Sequence, residues 1–276
     1  MDSYTRDGLT FDVTDTGPAP GSGPDGVIVL LHGFPQNRHQ WDAVTPALNA
    51  AGYRTLAPDQ RGYSPRARPS GRRAYRISEL VDDVAALIDA TGEDKVHLVG
   101  HDWGAQVAWS LASKYPERLH TLTAVSVPHP QAFTGALRHG QLRKSWYMLL
   151  FQLPVLPELI VPSSRGIALM TMGGITAEQM RGYVEPLGRD GVGAAINWYR
   201  ALPFSQREKG YGRSTTVPTT YVWSEGDTAL GRTAAEATER YVKADYRFEV
   251  LPRLSHWIPD EAPDELARIV LERVRG

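Results

Sequence analysis

The sequence contains no cysteine. That absence removes disulfide scaffolds, Cys-ligated zinc and thiol nucleophiles from consideration, and it fits a reducing compartment such as the cytoplasm. An excess of charge of one sign is also missing. Thirty Lys and Arg against 31 Asp and Glu in 276 residues leave a formal net charge of -1, and no basic run resembles a nucleic-acid footprint. The N-terminal MDSYTRDGLTFDV has no charged segment leading into an apolar one, so no secretory signal is read there. The most apolar run, YMLLFQLPVLPELIVP, is broken by Pro154, Pro157 and Pro162 and carries Glu158. A membrane span needs about 20 predominantly apolar residues, so this run is expected to be buried or to line a cavity, with no membrane insertion. No cluster of ligand-type residues at suitable spacing suggests a metal.

What is present is an alternation. VIVLL (27–31) is continuously apolar, as in a strand covered on both faces. YRTLAP (53–58), KVHLVG (95–100) and LTAVSVP (122–128) read as further strands. Between them, ISELVDDVAALIDATG places Leu80, Val84, Leu87 and Ile88 on one helical stripe, with Ser78 as N-cap and Gly92 past the end. GAQVAWSLASKYP is helical and stopped by Pro116. The βαβα order predicts an α/β fold with a mostly parallel sheet flanked by helices. From about Pro128 to Arg213 strands disappear; the alternation resumes at TTYVW (219–223), YRFEVL (246–251) and PDELARIVLERV. One core, 1–128 and 214–276, interrupted by a helical insert, 129–213, explains this. TGPAPGSGPDG (16–26) reads as a turn before the strand at 27.

In LVGHDWGAQ, Gly100 and Gly104 flank His101-Asp102-Trp103 between a strand and a helix. A strand turning abruptly into a helix strains its middle residue and displays that side chain above the strand ends. The arrangement is a nucleophile elbow with Asp in place of serine; the alternative is an Asp that only caps the helix. LLHGFPQN (30–37) exits the first core strand beside it, so the backbone N–H groups of Phe34 and Trp103 are the candidate oxyanion donors. Among eight histidines, His39, His120 and His139 read as surface or loop and His97 as strand. His256, between the last strand and last helix, is the candidate base. Asp227, in the loop after YVWS, is the acid to orient it, with Glu225 and Asp260 as rivals. Asp59 and Arg61 are expected to pair beneath the oxyanion loop.

Taken together, HGFP, APDQRGYSPRARP, GHDWGAQVAW, SVPHP, FQLPVLPE, NWYR, SEGD and SHW resemble the soluble epoxide hydrolase family of the α/β-hydrolase fold, over nearly the whole chain. The resemblance implies a helical cap and two cap tyrosines that hold an epoxide oxygen, matching Tyr147 before FQLP and Tyr199 in NWYR. Family members often carry Gly before the catalytic His, where this chain has Ser255. The implied reaction is epoxide plus water to a vicinal diol through an ester on Asp102, with no cofactor. A small hydrophobic epoxide is expected in a pocket formed by Trp146, Leu150, Phe151 and Trp257. Alternatives are a dehalogenase with the same Asp-His-Asp set and a non-catalytic ligand receptor on this fold. The natural epoxide and the oligomeric state are not legible.

Overall fold

A computed structural model describes residues 1–17 and 26–276, with His139 in backbone only; the turn expected over 16–26 thus falls almost wholly outside the described residues. The strands are β1 (Ser3–Arg6), β2 (Leu9–Thr16), β3 (Val27–Leu31), β4 (Arg54–Pro58), β5 (Val96–His101), β6 (Leu119–Val125), β7 (Thr219–Ser224) and β8 (Tyr246–Leu251). They form one sheet in the order β1-β2-β4-β3-β5-β6-β7-β8. From β4 to β8 every pair is parallel. Only the β1–β2 hairpin joins antiparallel.

That hairpin was not among the expected strands. Its turn is Asp7-Gly8, with φ of 49° and 77°, and Arg6 pairs with Leu9 across it. A two-residue turn with both φ positive matches the twist of the flanking strands, which makes Asp-Gly a strong hairpin signal.

The alternation along β3 explains the two-sided burial. Val27, Val29 and Leu31 pack into one apolar cluster and Ile28 and Leu30 into another. The first cluster holds α2 (Ile77–Thr91) and α3 (Trp103–Lys114); the second holds α1 (Thr45–Ala50) and the C-terminal helix. Each fully buried Leu, Ile or Val in these layers contributes about 1.5–3 kcal/mol of transfer free energy.

Between β6 and β7 the chain is helical: α4 (Pro130–Ala136), α5 (Gln141–Lys144), α6 (Tyr147–Leu150), α7 (Leu156–Ile160), α8 (Ser164–Met170), α9 (Ala177–Val184) and α10 (Gly188–Ser205). After β7 follow α11 (Arg232–Ala237), α12 (Ile258–Glu261) and α13 (Pro263–Arg275). The two ends of the helical insert meet. His129 Nδ1 accepts from the Gln131 N–H, which leaves its Nε2–H to donate to the Arg213 carbonyl at 3.1 Å. Ser113 Oγ donates to the same carbonyl at 2.6 Å.

Three local expectations are corrected. The apolar run 147–162 is only partly buried or cavity-lining, since Leu149, Leu153, Val155, Leu156 and Leu159 face solvent. Ser78 does not cap α2. The helix starts at Ile77, whose N–H donates to Ser205 Oγ at 2.9 Å, and Ser78 Oγ donates to Glu208 Oε1 at 2.6 Å. The end of the insert therefore supplies the acceptors that a free helix terminus needs. Asp59 and Arg61 do not pair. Arg61 makes a two-pronged contact with Asp83 on α2, at 2.7 Å from Nε and 2.7 Å from Nη2. Asp59 accepts from the Arg38 N–H and Nη1. The planar guanidinium matches both oxygens of Asp83, which α2 presents on its core side.

Candidate active site

The turn between β5 and α3 holds Asp102 at φ 51° and ψ −119°, a region a non-glycine side chain occupies only under constraint from its surroundings. The constraint is close packing. A Cβ on Gly100 would run into the Gly104 carbonyl, and one on Gly104 into the Leu31 carbonyl. Asp102 does not cap α3 with its side chain. Instead Oδ1 accepts from the Phe34 N–H at 2.9 Å, and Oδ2 lies 3.3 Å from His256 Nε2. Gly33 permits this approach, since a Cβ there would strike Asp102 Cβ and Oδ1. Trp103 is the first residue of α3, so its N–H has no acceptor within the helix.

The loop after β3 is held through His32 by Gln60, not by an Asp59–Arg61 pair. The Gln60 N–H donates to His32 Nε2 at 3.1 Å, and Gln60 Nε2 donates to the His32 carbonyl at 2.6 Å. That fixes His32 with its proton on Nδ1, donating to the Gly33 carbonyl at 2.9 Å.

His256 Nδ1 is 2.8 Å from Asp227 Oδ2. Asp227 Oδ1 accepts from the backbone N–H groups of Ala229, at 2.7 Å, and Leu230, at 2.8 Å. Glu225 pairs instead with Arg232 at the surface, and Asp260 accepts from Gln36 Nε2 and the Tyr183 hydroxyl. Burial alone would pull the His256 imidazole down. The Asp227 and Asp102 carboxylates outweigh it and raise the group to about 10. Burial pushes Asp102 up, but the hydrogen bond and charge of His256 reverse this and hold its carboxyl below the ordinary range.

Several residues that secure this arrangement went unread in the sequence. Gln40 Oε1 accepts from the Gly33 N–H at 3.2 Å, and Gln40 Nε2 donates to His101 Nδ1 at 2.8 Å. His101 Nε2 then donates to the His256 carbonyl at 2.9 Å, as does Ser126 Oγ at 2.9 Å. One buried chain thus runs from the loop after β3 to the loop that carries His256. Burial first, then the neighbouring His256 charge, lowers His101 to about 4, so it stays neutral and keeps this donor–acceptor order. The position of His101 beside Asp102 was a signal; Gln40 had none.

Asp102, His256, Tyr147 and Tyr199 face one cavity of about 700 Å³. Trp146, Leu150, Phe151, Trp257 and Phe34 also line it. Asp227 lies behind His256, outside the lining, and Trp103 faces a small side hollow of about 60 Å³ shared with Asp102 and both tyrosines. The Tyr147 and Tyr199 rings sit edge to face with centroids 6.1 Å apart. Burial, and then the Asp102 charge, raises both phenols well above their ordinary range, so each keeps its proton. Tyr199 is placed by its motif neighbours. Trp198 Nε1 donates to the Arg61 carbonyl at 2.8 Å, and Arg200 bonds the Phe151 carbonyl at 3.0 Å and Glu158 at 2.7 Å. A carboxylate, a charged imidazole and two phenolic donors facing one apolar cavity can attack a carbon centre, stabilise a developing oxyanion and move a proton.

A sequence profile described as alpha/beta hydrolase fold matches residues 26–154. The chain is 37% identical to the AB hydrolase superfamily protein YfhM of Bacillus subtilis, over 98% of this chain and 96% of that one. It is 33% identical to Epoxide hydrolase 4 of Homo sapiens, over 88% of this chain and 71% of that one. Among solved structures, epoxide hydrolase A from Mycobacterium thermoresistibile superposes with a TM-score of 0.85 at 29% identity, covering 99% of this chain and 97% of that one.

Proposed function

The chain belongs to the epoxide hydrolase family of the α/β-hydrolase fold, and we propose that it converts a hydrophobic epoxide and water to a vicinal diol through an ester on Asp102. The observation that carries this reading is the convergence of Asp102, His256, Tyr147 and Tyr199 on one cavity. Residues 129–213 act as the cap and bring the tyrosines to the carboxylate of the core.

Asp102 needs no activation to attack an sp³ carbon. One oxygen bonds the epoxide carbon while the carbon–oxygen bond of the ring breaks. Charge develops on the ring oxygen, where Tyr147 and Tyr199 donate hydrogen bonds. The ester is neutral, so one of the two carboxylate charges that raise His256 vanishes as the ester forms. The imidazole then holds its proton less tightly. A proton passes to the alkoxide and His256 is left neutral, which keeps the charge balanced. Neutral His256, oriented by Asp227, takes a proton from water. The hydroxide attacks the Asp102 carbonyl carbon, and its oxyanion meets the Phe34 and Trp103 N–H groups. Collapse releases the diol and restores the Asp102–His256 ion pair.

A single turnover in ¹⁸O water with enzyme in excess tests the scheme. The first diol is expected unlabelled, because its added oxygen comes from Asp102. Labelled diol in that turnover overturns the covalent step. With His256→Gln, intact-mass analysis is expected to show an Asp102 adduct equal in mass to the epoxide.

A further inference from the structure

The eight most exposed large apolar side chains among the described residues all fall between Leu142 and Leu169. Elsewhere the described surface keeps such groups covered, so this concentration is not the scatter found on ordinary soluble surfaces. The run through α5 and α6 is also inside out. Leu142, Trp146, Leu149 and Leu153 recur at helical spacing and face solvent, with Leu149 at 69% exposure, while the polar Gln141 and Ser145 are buried. Gln141 is turned inward by its bonds to Ser145 Oγ, the Ala229 carbonyl and the Gly231 N–H. Leu159 and Leu169 extend the exposed apolar surface onto α7 and α8.

Charge identifies what this surface meets. From His129 to Met170 the chain carries Arg138, Arg143, Lys144 and Arg165 against one acid, Glu158, which is engaged by Arg200 at 2.7 Å. The whole chain, by contrast, is balanced at -1. A second copy docked symmetrically would set these cations against themselves without acids to match. An anionic lipid surface meets both features: leucines and a tryptophan at the depth of the headgroup boundary, and arginines against the phosphates. The cavity mouth lies in the same patch, since Arg143, Trp146 and Leu169 are exposed and also line the cavity.

We propose that the Leu142–Leu169 face docks peripherally on an anionic lipid surface, so that the active-site cavity opens toward the bilayer. If the substrate is a hydrophobic epoxide, as proposed above, it reaches the site from the phase in which it dissolves. The contact is superficial: no described helix is long and apolar enough to cross a membrane.

Flotation with vesicles, without any epoxide, tests the docking. The wild-type chain is expected to float with equimolar phosphatidylcholine and phosphatidylglycerol and to float far less with phosphatidylcholine alone. Leu149→Ser with Leu153→Ser, and separately Arg138→Glu with Arg165→Glu, are expected to lose flotation. All four positions lie outside the cavity lining, so hydrolysis of a water-soluble epoxide stays near wild type and reports a folded site. Wild-type protein remaining with the unbound fraction overturns the proposal. So does a concentration-dependent dimer that the leucine pair abolishes, which would make the face an interface between copies. Flotation without epoxide hydrolysis would support the lipid surface while removing the function proposed above.

Discussion

Tyr147 and Tyr199 differ in how they are held. Tyr199 is packed on Phe34, Trp103 and Phe151, with centroids 5.3, 4.9 and 4.8 Å away, whereas Tyr147 sits on the short α6 against Phe151 and Tyr199. Loss of one preorganised donor to an oxyanion costs on the order of 10²-fold or more in rate. Tyr147→Phe and Tyr199→Phe are each expected to slow ester formation by about 10²-fold, measured by single-turnover quenching, and the double variant to abolish it. His256 gives a pH prediction. Its folded-state value is raised to about 10 from an ordinary 6.5, so its contribution to stability is complete below 6.5 and disappears as pH rises through about 10. Asp102→Asn removes one of the charges that raise it. The imidazole NMR titration of that variant is expected to fall below the wild-type value. Its melting temperature should also decline less between neutral pH and pH of about 10.

At the scale of elements, the elbow tolerates no added atom at Gly104, where a Cβ meets the backbone of Leu31. Gly104→Ala is expected to give insoluble or inactive protein, with circular dichroism separating the two. The Arg61–Asp83 contact joins α2 to the loop after β4, and Asp83 also takes Arg6 Nη1 of β1 at 2.9 Å. Both side chains of the pair are about 5% exposed or less. Asp83→Asn leaves the buried guanidinium with only the more distant Glu79 carboxylate, 3.9 Å away, as counter-charge, and a loss of about 3 kcal/mol in urea unfolding is expected. Parallel strands and the elbow were legible in the sequence because apolar runs and paired glycines report local geometry. The Arg61 partner was not, because Asp59 is nearer in sequence while Asp83 is nearer in space. Ser78 misled for the same reason: its neighbours from the insert lie more than a hundred residues away. The β1–β2 hairpin is legible in the sequence, since Asp7-Gly8 is followed by a run that alternates Phe11 and Val13 with polar residues.

Across the whole molecule, the site draws on the exits of β3, β5, β7 and β8, so no fragment of the chain carries it. Residue types at those exits were readable, because the parallel order places every exit on one edge of the sheet. The buried Gln40–His101 chain that ties two of those loops together was not, since nothing local marks a glutamine for such a task. The helical insert is different in kind. It leaves after β6 and returns before β7, two strands that are hydrogen-bonded neighbours, and its roots are clasped by His129 and Arg213. Chain leaving and re-joining a scaffold at almost one point makes the insert a cassette. Exchanging 130–212 for the corresponding piece of a relative keeps Asp102, Asp227 and His256 on their own strands. Such chimeras are expected to inherit epoxide preference from the donor and to keep the base step of the host, with rates of ester formation and ester hydrolysis measured separately. That outcome would make substrate range and the Asp102–Asp227–His256 set separately heritable, able to diverge at different speeds within one chain.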